Sequence, residues 1–218
     1  MEKETSKKAE EKKREKKTEI QMISVIIPVK PPEPYLDTLI VNLHQVLSNV
    51  PHEILIQKEK GLGYAVKCGI ARSRGNIIIV MDADGSHDPK YLPNMLSLLK
   101  DYDVVIGSKR VVNGSNEDSF LRRQISSLYN KLIKWMLGIQ VYDSMSGFIV
   151  AKSFVFDGYK FPRGYKFMLP LYYQKGNYKI LEYPISFHKR KAGRSKVSYM
   201  EGFKTLFQVF KLRLIGSD

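Results

Sequence analysis

Two aspartates placed directly after an apolar run are the residues of this chain best suited to chemistry. The run Asn76–Val80 is rich in β-branched residues, which predicts a buried strand, and Asp82 and Asp84 follow it. In an extended segment the side chains at i and i+2 share a face, so both carboxylates can bind one hard cation, with phosphate oxygens completing its ligands. Ser86 is a weaker third ligand. Such a pair is also common in solvated turns that cap a helix, and a helix is predicted to start near Asp88. The preceding strand and the other motifs of the chain favour the metal site over this alternative.

Cationic side chains cluster in two further places where they could bind phosphate. One group follows the fourth predicted strand and consists of Lys109, Arg110, Arg122 and Arg123, and a dense basic segment covers 188–196. Arginine binds phosphate through two parallel N–H groups, whereas lysine acts as a point charge. Each residue alone could be a solvated surface charge. As a group beside a diphosphate site they predict phosphate binding, with Arg122, Arg190 and Lys196 as the main candidates.

The composition indicates a basic globular protein. The chain has 218 residues and a formal net charge of +14, which is long enough for one large α/β domain or two small ones. Residues 1–20 contain eight basic and six acidic side chains and almost no apolar ones, which predicts a charged, disordered tail. The excess positive charge therefore belongs to the body of the chain and suggests an anionic partner, such as nucleotide phosphates, nucleic acid or an acidic membrane surface.

The single cysteine and the distribution of apolar residues bear on the expected compartment. Cys68 alone can form neither an intramolecular disulfide nor a thiolate metal site. No apolar stretch reaches the length of a transmembrane helix, and the start of the sequence lacks the apolar region of a secretory signal. We therefore expect the body of the protein to face a reducing cytoplasm.

The elements that must position these residues alternate between strands and helices. Predicted strands cover Met22–Val29, His52–Gln57, Asn76–Met81 and Asp103–Gly107, and predicted helices cover Pro34–Leu47, Gly61–Ser73 and Pro89–Leu99. This alternation predicts an α/β fold with a Rossmann-like, mostly parallel sheet and helices on both faces. Later segments predict helices at Ser119–Leu137, near Tyr165–Gln174 and from about Val197, and a strand at Tyr178–Phe187. We expect the first half to bind nucleotide and the second half to bind an acceptor, within a single domain.

Several short motifs in a fixed order carry a family resemblance from residue 22 to residue 200. They are Val25–Pro28, Gly61–Gly63, Asp82–Lys90, Gly107–Arg110, Asp143, Ser146–Phe148, Gly164–Phe167, Glu182–Phe187, and Arg190 with Gly193, Ser195 and Lys196. Together they resemble the inverting nucleotide-sugar glycosyltransferases of the A-type fold, and within that group the dolichyl-phosphate (polyprenyl-phosphate) mannose synthases. The resemblance implies that a hexose, mannose or glucose, is transferred from a donor such as GDP-mannose or UDP-glucose to a polyprenyl phosphate.

The resemblance also implies a divalent cation, Mg²⁺ or Mn²⁺, and a set of site residues. The metal ligands would be Asp82, Asp84 and Ser86, the nucleotide would contact Pro28, Lys67, Asp82 and Lys109, and the catalytic set would be Asp82, Asp84, Arg122, Arg190 and Lys196. One departure follows the second strand, where family members usually carry an acidic loop that helps to hold the nucleotide. Here Gln57 stands near the position of that acid, and the chain enters the next helix after only a few residues.

No carboxylate pair in the second half is an obvious general base, and this favours a phosphate acceptor. The second pKa of a phosphate monoester is about 6, so the group is already a nucleophile at neutral pH. A hydroxyl acceptor on a glycan or a protein would require a base. A non-catalytic nucleotide- or anion-binding module is a further alternative, and a nucleic-acid partner is disfavoured because carboxylates repel its phosphates unless metal is bound.

The C-terminal residues 198–218 predict an amphipathic helix with an aromatic stripe, formed by Tyr199, Phe203, Leu206, Phe207, Phe210 and Leu214. A stripe of this kind is usually part of a core. Because it follows a basic segment, it is at least as well explained by a helix lying on a membrane surface. The expected organisation is thus a tail at 1–20, a catalytic domain at 21–197 and this helix, with the protein peripheral on the cytoplasmic face of a membrane. Trp135 is expected to pack in the interior.

Overall fold

The computed structural model describes residues 19–59, 61–159, 167–173, 178–188, 205–207, 209–211 and 213–214. Most of the predicted tail at 1–20 and the basic segment from residue 189 onward therefore lie outside the described residues. The described part forms an α/β structure built on one large sheet, which confirms the predicted fold class.

The large sheet has six strands in the order β2-β1-β3-β6-β4-β7. Their bounds are Ile23–Pro28 for β1, His52–Gln57 for β2, Ile77–Val80 for β3, Val104–Ser108 for β4, Ile149–Lys152 for β6 and Ile180–Pro184 for β7. All neighbours pair in parallel except β6, which runs antiparallel to both β3 and β4. Because β6 is reversed, the segment that leads into it arrives at the rim where β3 and β4 end.

Five α-helices are described between the strands, with bounds Leu36–Val46 for α1, Leu62–Arg72 for α2, Leu92–Ser97 for α3, Phe120–Leu137 for α4 and Leu169–Tyr173 for α5. The sheet is buried on both faces, as continuous apolar strands require. On one face the core includes Leu39 and Leu43 of α1, and on the other it includes Ile133 and Leu137 of α4. Helices α1 and α4 therefore lie on opposite faces of the sheet.

Helix α2 packs very close to the sheet through Gly69. A Cβ atom at this position would lie 2.5 Å from Cγ2 of Ile26 in the central part of β1. Only a residue without a side chain allows this approach, so the glycine fixes the distance between α2 and the sheet.

Two predicted elements are interrupted in the structure, and proline accounts for both. The expected helix Pro89–Leu99 consists of a 3₁₀ turn at Pro89–Tyr91, helix α3 and a second 3₁₀ turn at Leu98–Lys100. Proline has no N–H and is best tolerated in the first turn of a helix, so Pro93 sets the start of α3. The expected strand Tyr178–Phe187 is divided after Pro184, and its last part, β8 at Ser186–Phe187, pairs instead with β5 at Ser115–Asn116.

The remaining predicted helices are described in part. Within the expected helix Tyr165–Gln174, Phe167 and Met168 form a turn and Leu169–Tyr173 form α5, while residues 165, 166 and 174 lie outside the described set. Of the expected C-terminal helix, residues 205–207, 209–211 and 213–214 are described and are helical. No helix in the described part of the chain is both long and apolar enough to span a bilayer.

Candidate active site

The two aspartates lie in a tight turn that leaves the carboxyl end of β3. Gly85 adopts a φ of 78° at the centre of this turn, a conformation that favours glycine. Oδ1 of Asp84 accepts hydrogen bonds from the backbone N–H of Ser86 at 3.1 Å and from its hydroxyl at 2.6 Å. Asp88 accepts from the N–H of Lys90 at 3.0 Å and caps the following 3₁₀ turn. We define the segment from Asp82 to Asp88 as the acidic turn.

His87 fills the inside of the acidic turn. It is 2% exposed, and its Nδ1 accepts the backbone N–H of Asp82 at 3.1 Å. Burial is the strongest influence on this imidazole and lowers its pKa below the ordinary value, against the opposing effects of Asp82 and Asp84. Lys109 also lowers the pKa and Asp143 raises it, so four charged groups surround this one ring.

Two aromatic rings from distant parts of the chain hold His87. Phe148, from the segment before β6, stacks on the imidazole with ring centres 5.1 Å apart and an interplanar angle of 19°. Phe187, from β8, meets the imidazole edge-on at 5.7 Å. The ammonium group of Lys109 lies 3.6 Å from the centre of the Phe187 ring. The backbone N–H of His188 also donates to the carbonyl of Ser86 at 3.2 Å, so β8 is joined directly to the acidic turn.

A buried carboxylate supports the loop that follows β4. Asp143 accepts the backbone N–H of Lys109 at 3.3 Å, and one of its oxygens lies 3.8 Å from Nε of Arg110. Arg110 also donates to the hydroxyl of Ser126 in α4 at 2.7 Å. In turn, Glu182 of β7 accepts the backbone N–H groups of Tyr142 and Asp143 at 2.7 and 2.8 Å. Residues from β4, α4, β7 and the segment before β6 thus meet beside the acidic turn.

The segment before β6 also contacts the carboxylate of Asp82. A Cβ atom at Gly147 would lie 3.4 Å from Oδ2 of Asp82, so the backbone of Gly147 backs directly onto that carboxylate. The hydroxyl of Ser146 donates to the carbonyl of Gly107 at 2.6 Å, which fastens the same segment to β4.

The residues predicted to contact nucleotide are distributed along the rim and beyond it. Pro28 ends β1 beside Gln57, which ends β2 and is buried. Oε1 of Gln57 accepts a hydrogen bond from Arg72 at 2.9 Å. Lys67 is exposed in the middle of α2, and its contact with nucleotide stays a prediction. Lys109 is at this rim, and its ammonium group lies 3.6 Å from the carboxylate of Asp118.

Three predicted phosphate ligands lie wholly or partly outside the described residues. Arg190 and Lys196 lie outside the described residues. Arg122 belongs to the first turn of α4, but the structure does not describe its side chain. Ser126, in the second turn of α4, accepts a hydrogen bond from Arg110 of the loop that follows β4. The roles of all three residues remain predictions.

The donor atoms of the acidic turn fit a divalent cation whose remaining ligands are oxygens of a bound phosphate group. Asp82, Asp84 and Ser86 offer only oxygen, which Mg²⁺ and Mn²⁺ accept. Among the described residues, no group of three or more His, Cys, Asp or Glu side chains is placed to hold a metal ion. The residues therefore match an ion that is bound jointly by one or two carboxylates and by phosphate oxygens, rather than one enclosed by protein alone.

The sequence did not reveal the central place of His87 or the link between Glu182 and Asp143. Both depend on contacts between residues far apart in the chain, although Phe148, Asp143 and Glu182 belong to the motifs quoted above. Tyr172 of α5 was missed as well. Its buried hydroxyl has no hydrogen-bond partner among the described residues. Burial, followed by Asp143 and Glu182, raises its pKa well above the ordinary value.

The chain is similar to known glycosyl transferases. The model of glycosyl transferase family 2 matches residues 35–159. A dolichol-phosphate mannosyltransferase of Pyrococcus furiosus is 32% identical over 163 residues, which cover 71% of this chain and 46% of the relative. An undecaprenyl-phosphate mannosyltransferase of Micrococcus luteus is 33% identical over 151 residues, covering 63% of this chain and 61% of the relative. The matched part of the chain thus spans 46% of the first relative and 61% of the second, which is less than two thirds of either.

Solved structures share the fold at low sequence identity. One is glucosyl-3-phosphoglycerate synthase from Mycobacterium tuberculosis, solved in complex with Mn²⁺, UDP and phosphoglyceric acid. Its TM-score is 0.68 at 14% sequence identity, and the match covers 93% of this chain and 81% of the synthase chain. Mannosyl-3-phosphoglycerate synthase from Rubrobacter xylanophilus has a TM-score of 0.69 at 14% identity, and the match covers 94% of this chain and 78% of the synthase chain.

Proposed function

Because this chain belongs to glycosyl transferase family 2, we propose that it transfers a hexose from a nucleotide sugar to a polyprenyl phosphate. The observation that carries the proposal is the acidic turn at the carboxyl end of β3, where Asp82, Asp84 and the cationic Lys109 lie around His87. Ligands of open α/β sheets bind at this rim. The P. furiosus and M. luteus relatives are named as mannosyltransferases acting on dolichol phosphate and undecaprenyl phosphate, which supports mannose and a lipid phosphate here.

In the proposed site the carboxylates bind the metal ion and the cationic side chains bind phosphate. A bound divalent ion would stabilise the charge that develops on the leaving diphosphate. Asp82, Asp84 and Ser86 would hold that ion, in keeping with their oxygen donors. Lys109 and Arg110 would offset the negative charge of the phosphates that meet here, and the predicted ligands Arg122, Arg190 and Lys196 would hold the acceptor. Pro28 and Lys67 are proposed nucleotide contacts, with GDP-mannose or UDP-glucose as the donor.

Two carboxylates of the described second half, Glu182 and Asp143, are already engaged by other groups, which favours phosphate over hydroxyl as the acceptor. Both oxygens of Glu182 accept backbone N–H groups. Asp143 is 2% exposed, accepts the N–H of Lys109 and faces Arg110. Neither is available to remove a proton from a hydroxyl. A phosphate monoester needs no such help, because its second pKa is about 6 and it is dianionic above that pH.

An exposed apolar surface supports a peripheral position on a membrane. On α4, Leu128 and Trp135 are 71% and 80% exposed, against the expectation that Trp135 is internal. Phe207, Phe210 and Leu214 of the C-terminal helix are also exposed. The phenol of Tyr129 in α4 bonds to the backbone of Leu206, so the two helices are neighbours. Apolar side chains that alternate with Arg123, Lys131, Lys134 and Lys211 are typical of helices that lie on an anionic bilayer.

A transfer assay tests the proposal directly. Purified protein is incubated with radiolabelled GDP-mannose or UDP-glucose and a short polyprenyl phosphate, with the corresponding polyprenol as the matched acceptor that lacks phosphate. We expect sugar transfer to the phosphate alone, and its loss in excess EDTA. Transfer to the alcohol or to a glycan would instead favour a hydroxyl acceptor. Metal-dependent nucleotide binding without turnover of any donor would favour a binding module.

A further inference from the structure

His87 links the three parts of the chain that form the site, and none of the roles above uses it. Its Nδ1 accepts the backbone N–H of Asp82, so the side chain closes a ring across the acidic turn. Its position is set by Phe148 on one face and by Phe187 at the edge. The imidazole therefore connects the turn to the segment before β6 and to β8.

The direction of this hydrogen bond defines the chemical form of the ring. A backbone N–H can only donate, so Nδ1 must carry a lone pair and the ring proton must lie on Nε2. This bond fixes the peptide that carries Asp82. The next carboxylate of the pair is fixed by its own bonds to Ser86, and the carbonyl of Ser86 accepts the N–H of His188. The backbone of Asp82 and the carboxylate of Asp84 are thus held by two neighbouring residues of the acidic turn, His87 and Ser86.

We propose that His87 is a positioning residue that orients the carboxylate pair Asp82 and Asp84 for a divalent cation through the hydrogen bond from Asp82 N–H to its Nδ1. This role rests on the proposed function, because it assumes that the pair binds a metal ion together with a nucleoside diphosphate. His87 would not touch the ion. It would hold the turn in the conformation that binds the ion, as side chains behind metal ligands generally do.

Two substitutions separate the hydrogen bond from the packing of the ring. His87→Phe keeps an aromatic ring between Phe148 and Phe187 but removes the acceptor. His87→Asn removes the ring, but its Oδ1 lies at the same distance along the side chain as Nδ1 and can accept the N–H of Asp82. Positioning predicts that the asparagine variant binds metal better than the phenylalanine variant. A purely packing role predicts the opposite order.

The first measurement is the binding of Mn²⁺ in the presence of GDP, followed through the electron paramagnetic resonance signal of free Mn²⁺. We expect His87→Phe to weaken Mn²⁺ binding by about 10–100-fold, and His87→Asn to remain close to wild type. In transfer assays the phenylalanine variant should require more Mn²⁺ for half-maximal rate and recover much of its turnover at high Mn²⁺. Equal Mn²⁺ affinity in wild type and His87→Phe would overturn the proposal.

The second measurement detects the hydrogen bond in the unmodified protein, and His87→Asn serves only to assign the signal. Nitrogen-15 NMR of the histidine rings should show one ring that is protonated on Nε2 and not on Nδ1, and this signal should be absent from His87→Asn. A proton on Nδ1 of His87 would rule out the hydrogen bond. If wild-type protein bound no Mn²⁺ with GDP and none with UDP in its place, both the proposed function and this role would be wrong. If wild type bound Mn²⁺ and His87→Phe bound it equally well, the role of His87 would be wrong and the proposed function would stand.

Discussion

The ring of Phe148 lies directly against the backbone of Gly107, and no side chain fits between them. A Cβ atom at Gly107 would lie 2.8 Å from Cδ1 of Phe148, which is fully buried and stacks on His87. The end of β4 and the interior of the acidic turn are therefore in contact through a single aromatic ring.

Gly107→Ala should destabilise the protein by about 1–3 kcal/mol, because the added methyl group overpacks a core that has no space for it. Urea unfolding at neutral pH measures the change. Gly147→Ala is the matched control, since its Cβ would make only ordinary contact at 3.4 Å. Equal stability of the two variants would show that Phe148 moves aside freely.

Asp84→Asn should abolish metal-dependent transfer while leaving the fold intact. The amide keeps an oxygen that can accept the hydrogen bonds from Ser86, but it lacks the charge that binds a cation. Rates are measured across a range of Mn²⁺ and Mg²⁺ concentrations, together with circular dichroism. Asp88→Asn, in the same turn, keeps its cap on Lys90 and should remain active. Full activity of Asp84→Asn in excess EDTA would contradict the metal assignment.

Glu53 should make the stability of the protein depend on pH in the acid range. Burial by itself raises its pKa, but hydrogen bonds from the backbone N–H of Arg74, from Ser24 and from the Arg74 guanidinium outweigh this effect, so the pKa of Glu53 is lowered. A lowered folded-state pKa stabilises the protein above the ordinary glutamate pKa, and this contribution is lost as pH falls through the folded value.

The corresponding experiment compares wild type with Glu53→Gln by urea unfolding from acid to neutral pH. At pH 7 the variant should be less stable by about 1.5–3 kcal/mol, as expected for hydrogen bonds to a charged group. The difference should shrink as pH falls below about 4. Asp157→Asn, at an exposed position, should show little change at either pH. A stability difference that is independent of pH would mean that it arises from the shape of the Glu53 side chain and not from its charge.

Trp135→Ser should weaken binding to vesicles that contain anionic lipid without reducing stability. The indole is 80% exposed on α4, so its removal costs the folded state little but removes apolar area available to a bilayer. Liposome flotation measures the bound fraction, which should also fall as salt rises. Val41→Ser is the control, because Val41 is also exposed, at 65%, on α1, which packs on the opposite face of the sheet. Similar losses in both variants would argue against a membrane-facing α4.

The sequence predicted those parts of the fold that depend on local pattern. The runs that became β1, β2, β3 and β4 are short, apolar and bounded by turn residues, and their bounds agree with the structure to within one residue at each end. The acidic turn could likewise be placed, because its position depends only on the strand that precedes it.

Features that depend on contacts between distant residues could not be predicted. Nothing in Ile149–Lys152 indicates that this strand is inserted between β3 and β4 or that it runs antiparallel to them. The sequence cannot show how His87 is enclosed, because the rings that surround it come from Phe148 and Phe187. Glu182 lies in a strand whose partner in the site, Asp143, is brought close only by the completed sheet.

The insertion of β6 also has a consequence for how the chain is synthesised. Strands β3 and β4 are completed early, but the strand that lies between them, Ile149–Lys152, leaves the ribosome much later, and β7 later still. Until then the apolar edges of Ile77–Val80 and Val104–Ser108 lack their partners and are open to pairing with other chains. Pairings between residues so far apart in sequence also close slowly. We therefore expect truncated chains that end before residue 149 to aggregate, and the nascent protein to depend on chaperones until its second half emerges.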